Sequence, residues 1–183
     1  TFGAHEYEDF GSFRFYDHFG PHFFSVVAGD ARLIFLDSTG KTPWQWQLRW
    51  LDDLLSKDTS RVRIAFIGHP PFEPESDLPF DRDEDYLGPP EFREALLAMA
   101  ERHRIDRVFS ANLSAFAETV RGTTQYIATG GAGGLGLNDD TSFYHYVRVD
   151  VAADGQVSHT LQQVEVGQDP VLKRLGSLWF FIY

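Results

Sequence analysis

Cysteine is absent from these 183 residues, which excludes disulfides, cysteine-bound zinc and thiol catalysis without fixing a compartment. Cations are scarce. Sixteen Lys and Arg stand against 27 Asp and Glu, a net charge of −11, and no basic run exceeds the pair Lys173-Arg174. A nucleic-acid partner is not expected, because such affinity rests on clustered cations that neutralise phosphates. Long apolar runs are missing too. The strongest, Leu178-Trp179-Phe180-Phe181-Ile182-Tyr183, falls far short of the ~20 residues that span a bilayer, so no membrane span is expected within the chain. It reads as a terminal strand or packed tail, with the first turn of a longer apolar helix as the alternative. No initiator Met and no charged-then-apolar leader stands at Thr1, so no targeting signal is readable. Both ends read as internal to a longer protein. A soluble domain of unknown location is expected, open to tethering through sequence outside these residues.

What is present is globular. Apolar residues make up 43% and aromatic residues 15%, enough for one sizeable core. Residues 1–166 are read as one domain and 167–183 as a C-terminal tail. Apolar runs at 23–28 and 31–36 flank Gly29-Asp30, a spacing that predicts a tight hairpin because Gly accepts positive φ. Thr42-Pro43-Trp44-Gln45 predicts a helix start with an N-cap hydroxyl, Pro at the first helical position and a capping box. Trp44, Leu48, Leu51 and Leu55 follow on one face. Residues 62–68 predict a strand buried on both faces. A long acidic surface loop over 73–88 leads to a second helix at Pro89-Pro90, with Phe92, Leu96, Met99 and His103 inward. A strand is expected at 107–110. Further strands follow at 115–120, 124–129, 143–151 and 156–166, read as antiparallel. The alternation of strand and helix followed by strands predicts an α/β layered sandwich.

Three short tracts carry the chemistry: Gly3-Ala4-His5-Glu6, Ile67-Gly68-His69-Pro70-Pro71, and the strand end Val108-Phe109-Ser110 leading into Ala111-Asn112-Leu113-Ser114. With Leu36-Asp37-Ser38, Gln47-Leu48-Arg49-Trp50-Leu51 and Tyr126-Ile127-Ala128-Thr129-Gly130-Gly131 between and after them, they resemble the C-terminal part of the calcineurin-like metallophosphoesterases. The resemblance spans roughly residues 2–151. It implies an α/β layered β-sandwich flanked by helices and lacking its N-terminal strands. The activity it implies is that of a metal-dependent hydrolase or phosphatase: attack of water on a phosphate mono- or diester, assisted by a pair of divalent ions (Mn, Fe or Zn) about 3.5–4 Å apart.

Carried over residue by residue, the resemblance yields a depleted site. His5 takes the position of the general acid, and His69 that of a lone metal-ligand histidine. Ala4 stands where the family has an Asn ligand, and a methyl group coordinates nothing. Asn112 and Ser114 replace a pair of ligand histidines; Asn112 could offer an amide oxygen to a hard cation, whereas Ser114 is a poor transition-metal ligand. The family's Asp-x-His and Gly-Asp-x-x-Asp motifs are missing. One clear ligand, His69, does not hold two ions, so no cofactor is expected on this chain.

The expected function is that of a degenerate phosphoesterase domain, a pseudoenzyme serving as scaffold or binding surface. The alternatives are a fragment or inactivated variant of a genuine metallophosphoesterase, and an unrelated binding module that would scatter His5, His69 and residues 112–114. Expected partners are a phosphate ester if the chain is active, or a protein or second copy along a sheet edge left open by the missing strands.

Several other features are set aside. Gly131-Ala132-Gly133-Gly134-Leu135-Gly136 satisfies a dinucleotide fingerprint but leads to a strand, not a helix. Asp81-Arg82-Asp83-Glu84-Asp85 lacks the Gly and Glu of a calcium loop. His5-Glu6 lacks the second His of a zinc protease motif, with Asp9 in its place. His103, His145 and His159 are expected to pack or face solvent, and His18 and His22 to lie in a polar loop.

Overall fold

The computed structural model describes residues 10–73, 87–113, 115–130 and 143–164. A first helix, α1 (Gly11–Phe19), leads into a hairpin of β1 (Phe24–Ala28) and β2 (Ala31–Phe35). Gly29 sits at φ 60 in the two-residue turn, as the Gly-Asp spacing predicts. Then come α2 (Trp44–Lys57), β3 (Val62–Ile67), α3 (Pro90–Arg102) and β4 (Arg107–Ser110). The hairpin of β5 (Phe116–Arg121) and β6 (Thr124–Thr129) follows, and the pair β7 (His145–Val151) and β8 (Val157–Gln163) comes last.

Six strands form one sheet in the order β1-β2-β3-β4-β6-β5, and β7 pairs with β8 in a separate sheet. Strands β2, β3, β4 and β6 run parallel, while β1 and β5 are antiparallel edges. The two crossovers step the same way across the sheet, which puts α2 and α3 on one face. That face buries Ile34, Leu36, Ala65, Ile67 and Val108 against Leu48, Leu51, Leu55, Phe92 and Leu96. The alternate residues Ala31, Val62, Ile64, Phe109 and Ile127 form a second core under Val147, Val149 and Val157 of β7 and β8. Burial on both faces is what the continuous apolar run of β3 predicts.

On this second face four phenylalanines stack across four strands. Phe24, Phe35, Phe66 and Phe109 are successive register partners, with centroids 4.6, 4.9 and 5.5 Å apart. Beside Phe24 and Phe35 a cleft of about 600 Å³ opens against Arg14, Phe15 and His18 of α1. Among the described residues β1 pairs only with β2, and its Val26 is 46% exposed. Among the described residues β1 is therefore an edge strand of the sheet.

The structure departs from the sequence expectations in three places. Helix α1 was not foreseen, and His18 lies in its last turn rather than in a loop. Helix α2 starts at Trp44 with Pro43, not Thr42, as its cap, and proline has no side-chain group to make a capping bond; the Thr42 hydroxyl donates to Asp37 Oδ2. Residues 115–129 do form an antiparallel hairpin, but β6 inserts parallel to β4. The acidic loop at 74–86, the Gly-rich tract at 131–142 and the tail beyond 164 lie outside the described residues.

Buried charge ties the sheet to its helices. Asp58, at the C-cap of α2, has a side chain 1% exposed and lies 2.9 Å from Arg32 Nε and 3.0 Å from Arg63 Nε. Burial works to raise its pKa, but hydrogen bonds from Arg63, Ser60 and Arg32 outweigh it and hold the carboxyl at about 2. Asp52 of α2 joins α3 through His103 Nε2 at 2.6 Å, and that bond lowers its pKa. His159 reaches Glu118 of β5 at 3.0 Å.

Candidate functional site

The parallel strands β2, β3, β4 and β6 all end on one edge of the sheet, the place where open α/β sheets bind ligands. Beyond β2 the Leu36 N–H still donates to Phe66 O at 3.0 Å, carrying Asp37 and Ser38 into the interior, 1% and 0% exposed. The chain then turns sharply, and Asp37 makes the turn. Its Oδ1 accepts the Thr39 N–H at 2.9 Å and the Thr39 hydroxyl at 2.6 Å. Its Oδ2 accepts the Thr42 N–H at 3.3 Å and the Thr42 hydroxyl. An Asp that satisfies the backbone two residues on builds this type of turn.

Gln47 of α2, fully buried, secures the same residue from below. Its Oε1 accepts the Asp37 N–H at 2.9 Å, and its Nε2 donates to Asp37 O at 3.0 Å. Both main-chain groups of a buried residue are thereby paired.

Ser38 is presented to the end of β3. Its Oγ accepts the His69 backbone N–H at 2.7 Å and lies 3.1 Å from His69 Nδ1. His69 is 7% exposed. Gly88, on the approach to α3, packs over the pair: a Cβ there would lie 2.9 Å from Ser38 O and 3.6 Å from His69 Cβ. Pro70, Pro71 and Phe72 follow His69 as buried residues, and Arg121 caps the Phe72 ring at 3.7 Å.

The end of β4 lies alongside. Ile67 is the register partner of Ser110, and the Ala111 N–H donates to Gly68 O at 2.9 Å. His69 and Asn112 therefore each stand two residues beyond an aligned pair, on neighbouring strand ends. Asn112 is exposed and left-handed, at φ 52, a conformation that Asn tolerates better than most residues. At the end of β6, a Cβ on Gly130 would come within 2.2 Å of Leu113 O, so glycine alone lets the two loops cross. Of the predicted site residues, His69 and Asn112 are brought to one crest. Ala4, His5 and Ser114 lie outside the described residues.

The sequence reading missed the two residues that organise this crest. Ser38 and Gln47 each figured only as part of a matching tract. The available signal was polarity at a buried place: a Gln at i−1 to Leu48 on the inward stripe, and a Ser immediately after an apolar strand.

A metal pair does not fit the described residues. Among them no three His, Asp or Glu side chains converge as ligands. The two ligand types at the crest are committed to other bonds: the Asp37 carboxylate to Thr39 and Thr42, and His69 Nδ1 to Ser38.

His145, at the start of β7, is buried and answers a different need. Its Nδ1 lies 2.8 Å from Phe143 O and its Nε2 2.8 Å from Thr129 Oγ1. It joins the β7–β8 pair to the end of β6, the packing role expected of it.

No protein-family model and no curated protein matches the chain. Solved structures do. A purple acid phosphatase from yellow lupin (Lupinus luteus) seeds superposes with a TM-score of 0.56 at 12% identity, covering 81% of this chain and 31% of that one. GAP50, the anchor in the inner membrane complex of Plasmodium, gives 0.47 at 16% identity over 85% of this chain and 59% of its own. A Staphylococcus aureus protein described as a 5'-nucleotidase gives 0.47 at 12% identity over 85% and 33%. Only the first exceeds 0.5, and this chain spans under a third of its length. The likeness is one of fold: a mixed α/β sheet flanked by helices, as in part of a metallophosphoesterase.

Proposed function

We propose that this chain is a metallophosphoesterase-like domain that has lost binuclear hydrolysis and serves as a scaffold or binding surface. One observation carries the reading. The pairing of Ile67 with Ser110 aligns the strand ends that lead to His69 and Asn112, and on the sequence Asn112 is an amide where the resemblance calls for an imidazole. Ala4 and Ser114 continue the pattern on the sequence, and Asp37 is spent on its own turn. In its binding role we assign β1, an edge strand among the described residues, with the apolar surface beside it, to self-association or a protein partner.

The experiment is elemental analysis of the chain purified with manganese, iron and zinc, together with turnover of a phosphate monoester and a phosphate diester. Substoichiometric metal and no turnover are expected. Two tightly held ions with metal-dependent turnover would refute the proposal. A second reading, that of a fragment or inactivated variant of a genuine phosphoesterase, draws on the match to 31% of the lupin enzyme. Its test is the variant Ala4→Asn, Asn112→His, Ser114→His, which on that reading regains metal binding.

A further inference from the structure

We infer that Ser38 fixes His69 as its Nε2–H tautomer, so that the ring presents an N–H donor, not a lone pair, at its far nitrogen. The argument is one of proton accounting. Ser38 Oγ already accepts the His69 backbone N–H at 2.7 Å. The residue has no exposed surface, so water cannot take its hydroxyl proton. Among the described residues the one acceptor within reach of that proton is His69 Nδ1, at 3.1 Å. A hydroxyl that donates to Nδ1 requires Nδ1 to carry a lone pair, and in a neutral imidazole the proton then resides on Nε2.

The opposite arrangement is disfavoured. If Nδ1 carried the proton, Ser38 Oγ would accept two N–H groups and its own proton would be buried without a partner, a state that folded proteins avoid. A metal ion bound through Nε2 would impose this arrangement. Ser38 is thus a positioning residue: it turns the surviving ligand position into a donor suited to an acceptor oxygen and unsuited to a cation. The consequence for metals rests on the function proposed above, whereas the tautomer does not.

His145 supplies an internal contrast. Phe143 O can only accept, so His145 Nδ1 must carry the proton, leaving Nε2 to accept from the Thr129 hydroxyl. Two buried histidines of one chain should therefore hold opposite tautomers.

The test is a long-range proton–nitrogen correlation spectrum of the whole chain labelled with nitrogen-15 histidine. It is recorded at about pH 8.5, above the usual imidazole range, with His69 assigned through His69→Gln or through its contacts to Ser38. The expected pattern is a protonated Nε2 and unprotonated Nδ1 for His69, with the reverse for His145. Ser38→Ala should convert His69 to an averaged mixture and leave His145 unchanged; where that variant does not fold, the wild-type spectrum decides. A proton on His69 Nδ1, or averaging in the wild type, overturns the inference. Nδ1–H in a metal-free chain sinks the inference alone, whereas stoichiometric metal with His69 still Nε2–H sinks the proposed function alone.

Discussion

Replacing Asp58 by Asn should destabilise the fold in a pH-dependent way that can be worked out beforehand. Arg32 and Arg63 are register partners on the parallel strands β2 and β3, like charges placed side by side, which is unfavourable in a sheet. Asp58 bridges both through bonds of 2.9 and 3.0 Å. Its carboxyl is lowered from 3.8 to about 2. The unfolded chain therefore binds the proton more tightly, and the contribution to stability is complete above the unfolded value and lost as pH falls through the folded one. A shift of this size is worth about 2.4 kcal/mol at pH 7, roughly 2.2 at pH 4 and roughly 1.3 at pH 3. Urea unfolding of wild type and Asp58→Asn at these three pH values gives the comparison. The stability gap should be about 2–4 kcal/mol at pH 7 and should narrow by about 1 kcal/mol by pH 3. A gap below about 0.5 kcal/mol, as for an ordinary surface pair, or one that does not change with pH, would refute the reasoning.

Gln47→Leu fills the same space but strips partners from the Asp37 N–H and C=O, so a loss of about 2–4 kcal/mol is expected in urea unfolding. A variant within about 0.5 kcal/mol of wild type would show that the Asp37 turn stands without it. On β1, Val26→Lys should abolish any concentration-dependent association seen by sedimentation velocity, because an edge lysine resists strand pairing. Association that persists unchanged would move the contact away from β1.

Much of the scaffold could be read directly from local patterns. The Gly29-Asp30 hairpin, the inward leucines of α2, the two-face burial of β3 and the strand at 107–110 follow from turn chemistry and from the periods of strand and helix. Helix α1 escaped although Phe15 and Phe19 stand one turn apart in it, because nine residues give a helical period little length in which to show. The capping prediction at Thr42 failed because the helix begins one residue later than the pattern implies, with Pro43 at the cap and Trp44 as its first residue.

The site divides along the same line. Residue identity by itself determined what the three matching tracts lack, since Ala4 coordinates nothing and Asn112 and Ser114 are not imidazoles. Only the folded sheet decided what the crest has. Parallel pairing of β2 with β3 and of β3 with β4 brings Ser38, His69 and Asn112 to one edge from positions 31 and 43 residues apart in the chain. Whether a histidine offers a lone pair or a proton depends on its neighbour in space. The order of residues along a chain does not specify that neighbour; strand register does.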